Sequence, residues 1–323
     1  DANQWHFCAI LNTGQGLCWG ANDHGQLGDG TICTGGSGWA PDNNPSPGCS
    51  PYNGRFNPII VGQGQLPSNT SFISISTGFQ HTCGILDTND LYCWGRNNGA
   101  LGLGSTGLNI PDPTFVDSDV VAVGTGDEHT CALYLDKTVS CWGVNEFGQL
   151  GTSNNYQSTV PVAINLSSNI SLISLEVAYD NNCAIDDTFE VYCWGRNNYG
   201  QTGSAPLTDV NGGQNTPLQA FPNSTVTYSP SSLSINGESI CWMLANESLA
   251  CGGNNYRGMT GNGVYGDAYS YTSAIIVNLS IGNYSGLPGI HISERDHDED
   301  SIISIYDELP YGCSSGYYDP TYN

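Results

Sequence analysis

The sequence predicts an all-β fold: a β-propeller of about five to seven four-stranded blades, each with a disulfide across a hairpin. Three observations predict it. Two cysteines ten residues apart recur five times. After each second cysteine comes a loop framed by two glycines. Short apolar runs flank each of these units, so that each repeat supplies four strands. The chain reads as a single domain, residues 1–323, with an inserted loop at 31–57 and an acidic, tyrosine-rich segment at 286–323.

The hairpin is clearest at Cys83–Gly102. The apolar run Cys83-Gly84-Ile85-Leu86 turns at Asp87-Thr88-Asn89 and returns as Leu91-Tyr92-Cys93-Trp94. Two apolar runs joined by a three-residue polar loop read as an antiparallel hairpin. Opposed residues in such a pair lie roughly 4.5–5.5 Å apart. That falls inside the window of about 4.4–6.8 Å that a disulfide needs. The spacing therefore predicts bridges Cys8–Cys18, Cys83–Cys93, Cys131–Cys141, Cys183–Cys193 and Cys241–Cys251.

Four of the second cysteines open a Cys-Trp-Gly, at Trp19, Trp94, Trp142 and Trp194; the fifth has Gly252 in the tryptophan position. The glycine-framed loops are Gly25–Gly28, Gly99–Gly102, Gly148–Gly151, Gly200–Gly203 and Gly258–Gly261. Paired glycines suit a tight turn with a residue at positive φ. Ahead of the first cysteine stand Ile73-Ser74-Ile75, Val121-Ala122-Val123, Ile173-Ser174-Leu175 and Leu233-Ser234-Ile235, each read as a strand. Behind the loop stand Pro58–Val61, Pro113–Val116, Val160–Ala163 and Ala274–Val277, where proline marks an edge strand. Successive second cysteines are 75, 48, 52 and 58 residues apart. The long first interval holds the insertion, which Cys33 and Cys49 are expected to close.

The first repeat enters directly at its hairpin. Ile303-Ser304-Ile305, eight residues before Cys313, has the spacing of Ile75 to Cys83. It is expected either to close the ring on the first blade or to be donated to a neighbouring molecule. Cys313 is the odd cysteine, expected in an intermolecular bond or to pair beyond residue 323. Tyr306, Tyr311, Tyr317, Tyr318 and Tyr322 surround it.

Thirteen cysteines in regular pairs, with no C-x-x-C, point to an oxidising compartment rather than to zinc. No basic-apolar leader precedes Asp1, so any secretion signal is expected to have been removed. No apolar run reaches the length of a membrane span, which leaves no membrane insertion. Six Lys and Arg against 30 Asp and Glu give a net charge of −24. Nucleic-acid binding depends on basic side chains that neutralise phosphates, so that partner class is excluded.

Residues 129–151 carry His-Thr-Cys-Ala-Leu and then Cys-Trp-Gly-x-Asn-x-x-Gly-Gln-Leu-Gly. The pattern resembles the repeats of the regulator of chromosome condensation family, and the resemblance covers all five repeats. It implies a β-propeller, usually of seven blades. The family includes a nuclear exchange factor and secreted inhibitors of β-lactamases. The acidity and cysteine pairs of this chain are at odds with the nuclear role.

His6, His81 and His129 share one repeat position and are read as buried hydrogen-bonding residues, with metal ligation as the alternative. The Cys-Trp-Gly tryptophans are read as core, with a sugar-stacking ring as the alternative. Asp296, Asp298 and Asp300 alternate as calcium ligands do, with Asp307 at the closing position, but Ser301 stands where such a loop needs glycine. A solvated acidic loop is the preferred reading, and no cofactor is expected. N-glycosylation sequons stand at Asn69, Asn165, Asn169, Asn223, Asn246, Asn278 and Asn283, where N-linked glycans are expected. No nucleophile elbow, phosphate loop or zinc-protease signature is present, so no catalytic residue is nominated. The expectation is a non-catalytic, secreted glycoprotein with a structural role that self-associates head to tail into a fibre or wall polymer. The alternative is a monomeric binding module for a protein or glycan, using one propeller face.

Overall fold

The computed structural model describes residues 5–34, 48–50, 53–167, 169–204, 212–220, 232–243, 249–255 and 270–277. The chain divides into two compact units, Asp1–Leu279 and Ser280–Asn323. The second, with Cys313 and the 303–305 strand candidate, lies outside the described residues. The first is all-β among its described residues.

Five antiparallel sheets follow one another along the chain, each a simple meander. The first has three strands: β1 (His6–Ile10), β2 (Gly16–Ala21) and β3 (Gly54–Ile60). The second holds β4 (Phe72–Thr77), β5 (His81–Leu86), β6 (Leu91–Gly95) and β7 (Ile110–Asp117). The third holds β8 (Val120–Thr125), β9 (His129–Tyr134), β10 (Val139–Gly143) and β11 (Ser158–Ala163). The fourth holds β12 (Leu172–Ala178), β13 (Asn181–Asp186), β14 (Val191–Arg196) and β15 (Gly213–Gln219). The fifth holds β16 (Ser232–Ile235), β17 (Ser239–Met243), β18 (Leu249–Gly253) and β19 (Ser270–Val277). β4 packs on β8, β8 on β12 and β12 on β16, which makes these the innermost strands of successive propeller blades. The ring is not closed among the described residues. Among the described residues the first blade shows three strands, with β1 at the edge of its sheet; the 303–305 segment expected to supply its innermost strand lies outside the described residues.

Each of the first four hairpins turns through three residues. The third takes positive φ at Gly14, Asn89, Lys137 and Phe189. This is the three-residue loop closed by a left-handed residue that matches the strand twist. The paired cysteines lie directly opposite one another in all five sheets. Their Cα atoms are 4.1–4.2 Å apart, closer than the spacing expected for opposed residues. Strand parity gives the reason. Leu86 and Arg96 donate backbone bonds to Asp90 and Gln80, and each is an odd number of residues from its strand's cysteine. The Cys83–Cys93 pair therefore takes the non-hydrogen-bonded site, where the strands approach most closely. Cys33 and Cys49 bridge the insertion. Its end differs from the expected boundary, since β3 already begins at Gly54. There Arg55 reaches Asp29 at 2.9 Å and ties the base of the insertion to the sheet.

Among the described residues four apolar cores form, one in each seam between successive sheets. The second seam joins Cys83, Ile85, Leu91, Cys93 and Leu101 of one sheet to Val120, Ala132 and Trp142 of the next. Because side chains alternate across a strand, the disulfide of each blade faces forward and the neighbouring tryptophan faces back. β15 went unread in the sequence because Gly213-Gln-Asn-Thr-Pro-Leu-Gln has no apolar alternation; its register with β14 supplies what the pattern lacks.

Candidate functional site

The glycine of Cys-Trp-Gly sits in a β-bulge that recurs after each second cysteine. At Gly143, φ is +108° and an added Cβ would stand 2.5 Å from the carbonyl oxygen of Glu128. Only glycine fits a positive φ with backbone this close. The bulge turns the chain into the glycine-framed loop. There Asn145 Oδ1 accepts from Leu150 N at 2.9 Å, and Gln149 Oε1 accepts from Phe147 N at 2.9 Å.

That loop is the seat for the next blade. Trp94 Nε1 donates to the carbonyl of Gln26 at 2.9 Å, Trp142 Nε1 to that of Ala100 at 2.8 Å, and Trp194 Nε1 to that of Gln149 at 3.0 Å. Each carbonyl takes a second bond from the same incoming blade. Thr82 Oγ1 donates to Gln26 at 2.7 Å, Thr130 Oγ1 to Ala100 at 2.8 Å, and Asn182 Nδ2 to Gln149 at 2.9 Å. The histidine of the preceding blade completes the chain. His6 Nε2 meets Thr82 Oγ1 at 2.8 Å, His81 Nε2 meets Thr130 Oγ1 at 2.9 Å, and His129 Nε2 meets Asn182 Oδ1 at 2.7 Å. Each histidine thus serves a different seam. Among the described residues, no group of three or more His, Cys, Asp or Glu is placed to hold a metal. Burial pushes His6 and His129 down to about 4 and His81 to about 3, the last opposed further by the charges the other two would carry.

The fifth blade lacks this relay and replaces its members together. Ile240 stands in the threonine position and Gly252 opposite it in the tryptophan position. The core of that seam is filled by Ile240 and Trp242. The first blade departs in another way. Its equivalent pair is Phe7 and Trp19, stacked at 5.9 Å with planes 11° apart, and Phe7 is 42% exposed. Trp94, Trp142 and Trp194 are fully buried. They are core, and no sugar-stacking ring forms from them.

A second feature lies on the turns between each innermost strand and the strand after it. Arg96 bonds Gln80 at 2.9 Å and Glu128 at 2.8 Å. Arg196 reaches Asp180 at 3.5 Å and lies 4.9 Å from the centre of the Phe147 ring. Burial, with Asp180 and Glu128 beside it, pushes the Asp127 carboxyl up to about 6. Burial also raises Asp180, against the pull of Arg196. Trp5 meets Phe79 edge-on at 6.2 Å.

Asn69, Asn165 and Asn169 are exposed on loops between strands. Asn165 Nδ2, the atom a glycan would take, bonds Ser153 Oγ. Asn223, Asn246, Asn278, Asn283, Asp296, Asp298, Asp300 and Cys313 lie outside the described residues.

Residues 72–99, 120–149, 89–133 and 138–185 match the Regulator of chromosome condensation (RCC1) repeat. The ultraviolet-B receptor UVR8 of Arabidopsis thaliana is 29% identical over 102 residues, which are 31% of this chain and 18% of the receptor. Human WBSCR16 superposes with a TM-score of 0.67 at 18% identity, covering 86% of this chain and 66% of that one. Prp20p from Saccharomyces cerevisiae gives 0.66 at 18% identity, covering 86% and 62%. The chain therefore spans less than a fifth of the curated relative and under two thirds of either solved structure.

Proposed function

The chain is an RCC1-like repeat protein, and from that premise we propose that it is a non-catalytic extracellular glycoprotein that assembles head to tail through its blade flanks. The six disulfides fit an oxidising compartment. The net charge of −24 keeps such a protein soluble between encounters.

The observation that carries the reading is the first blade. Every following described blade has four strands, and in the second, third and fourth the tryptophan is buried under the preceding loop. Among the described residues the first blade shows three strands, and at those same positions Phe7 is exposed and stacks on a half-buried Trp19. An open strand edge beside an exposed aromatic is a surface for strand addition. A head-to-tail contact of this kind propagates into a filament unless rotation closes it. Negative-stain microscopy of the full chain tests the reading. Filaments, or rings of several copies, are expected; discrete single discs at high concentration would overturn it.

The turn face favours the second reading, a monomeric binding module. It gathers Asp127, Glu128, Asp180, Arg96 and Arg196 with the exposed aromatics Trp5 and Tyr179. Single discs that lose binding to a protein or glycan after Asp180→Ala and Tyr179→Ala would select it.

A further inference from the structure

We propose that the seams joining the first four blades form an acid-sensitive clasp, closed while His6, His81 and His129 are neutral and opened when their rings take up protons. The hydrogen bonds fix the closed state. Thr82, Thr130 and Asn182 already give their protons to the loop carbonyls of Gln26, Ala100 and Gln149. Toward the histidines they are left to accept. Each ring therefore carries its proton on Nε2, which makes Nδ1 the site of any second proton. On His6 and His129, Nδ1 is buried and meets no hydrogen-bond partner. A proton placed there becomes a charged donor with nothing to receive it, inside an apolar seam.

The surroundings give little relief. Asp23, from the loop after β2, is the carboxylate whose charge favours protonated His6, and burial outweighs it. That carboxylate is itself engaged by His24 and Gln26. His81 faces Thr130 of β9, and the charges that reach it are those of His6 and His129, both opposing. The backbone of His129 favours its charged form only in part. His129 faces Asn182 of β13, whose carbonyl oxygen is already used by Nε2. Charging one ring therefore strains its own seam and opposes the charging of the next.

Opening under acid separates sheet from sheet. The hairpins themselves stay joined by the bridges at Cys8–Cys18, Cys83–Cys93, Cys131–Cys141 and Cys183–Cys193. The product keeps its β-structure while Trp94, Trp142 and Trp194 reach water.

The test uses the full chain. Tryptophan emission and histidine ring NMR are followed as pH is lowered from about 7.5 to about 4.5. The emission is expected to shift red while far-ultraviolet β-signal persists, with the three rings staying neutral until it does. Each ring favours the open form by about 30-fold at pH 5 relative to neutral pH. His81→Asn and His129→Asn copy the amide that Asn181 places at the same repeat position, and each is expected to remove about one proton from the uptake. The proposal is overturned if the rings titrate near pH 6 with the tryptophans still buried, or if the variants leave slope and midpoint unchanged. If neither variant folds, the ring titration of the unaltered chain decides alone.

Discussion

Trp142 Nε1 and Thr130 Oγ1, both from the third blade, donate to one carbonyl oxygen, that of Ala100 in the second, each at 2.8 Å. The two donors are opposed across one strand pair, β9 with β10. The same forked grip holds the second, third and fourth blades each on the loop before it. In the fifth blade both donors are replaced by apolar or absent side chains, and Ile240 and Trp242 fill the core of the seam instead.

The fork predicts non-additive substitutions. Trp142→Phe keeps most of the ring and leaves Ala100 served by Thr130, so it is expected to cost about 1 kcal/mol for the bond, plus a smaller packing loss. Thr130→Val leaves the tryptophan bond in place. It also takes the acceptor from His81 Nε2, a loss already present in that single variant, whereas only the double variant orphans the buried carbonyl. The double variant is expected to exceed the sum of the singles by about 1–3 kcal/mol in a denaturant double-mutant cycle. An additive result would mean that the two donors act independently.

Gly102 separates backbone strain from crowding. Its φ is +75°, and an added Cβ would lie 2.8 Å from Trp142 Nε1. Gly64 has φ +80° with nothing within 4 Å. Gly64→Ala is expected to cost only about 1–2 kcal/mol, the strain of a left-handed residue. Gly102→Ala pays that and displaces the indole as well, so a clearly larger drop in Tm is expected, together with red-shifted tryptophan emission.

The rungs predict a stability loss of their own, in addition to the packing that Cys131 and Cys141 contribute to the seam with the fourth blade. Cys131→Ser with Cys141→Ser opens a loop of sequence separation 10. The chain-entropy model assigns such a bridge about 2–3 kcal/mol, and the two hydroxyls left in a fully buried site add to the loss. Thermal denaturation of the double variant against the unaltered chain measures it.

Asp127 gives a pH dependence opposite in sign to that of the histidines. Burial and its acidic neighbours raise its folded carboxyl from 3.8 to about 6. The folded state therefore holds this proton more tightly than the unfolded state does. Its contribution is fully present below about pH 4 and is lost as pH rises through about 6. Since the group is only partly buried, Asp127→Asn is expected to stabilise the protein by about 1 kcal/mol at pH 7.5 and to have little effect at pH 4. Urea midpoints at the two pH values check the sign.

Much of this was legible in the sequence. The ten-residue cysteine offset fixed the hairpins, because only opposed residues at that spacing can be bridged. The apolar triplets before each first cysteine marked β4, β8, β12 and β16. The shortened first repeat matches the three strands described for the first blade. The seam relay was not legible, although its residues stood in view as His-Thr-Cys and Gly-Gln-Leu-Gly. Nothing local says that a threonine in one repeat binds a main-chain carbonyl of the previous one; that relation exists only once the blades stack. β15 was missed for a related reason, since pairing with β14 rather than composition makes it a strand. Trp19 looked like the other tryptophan sites, but Phe7 opposite it stands where the relay threonine would, and the two stack with Phe7 exposed.

Peptide mapping of the non-reduced protein tests the central claim most directly. The account predicts five cross-hairpin pairs, each ten residues apart, together with Cys33–Cys49. Free thiols at these positions in the natively produced protein, or bridges that join cysteines of different blades, would contradict it.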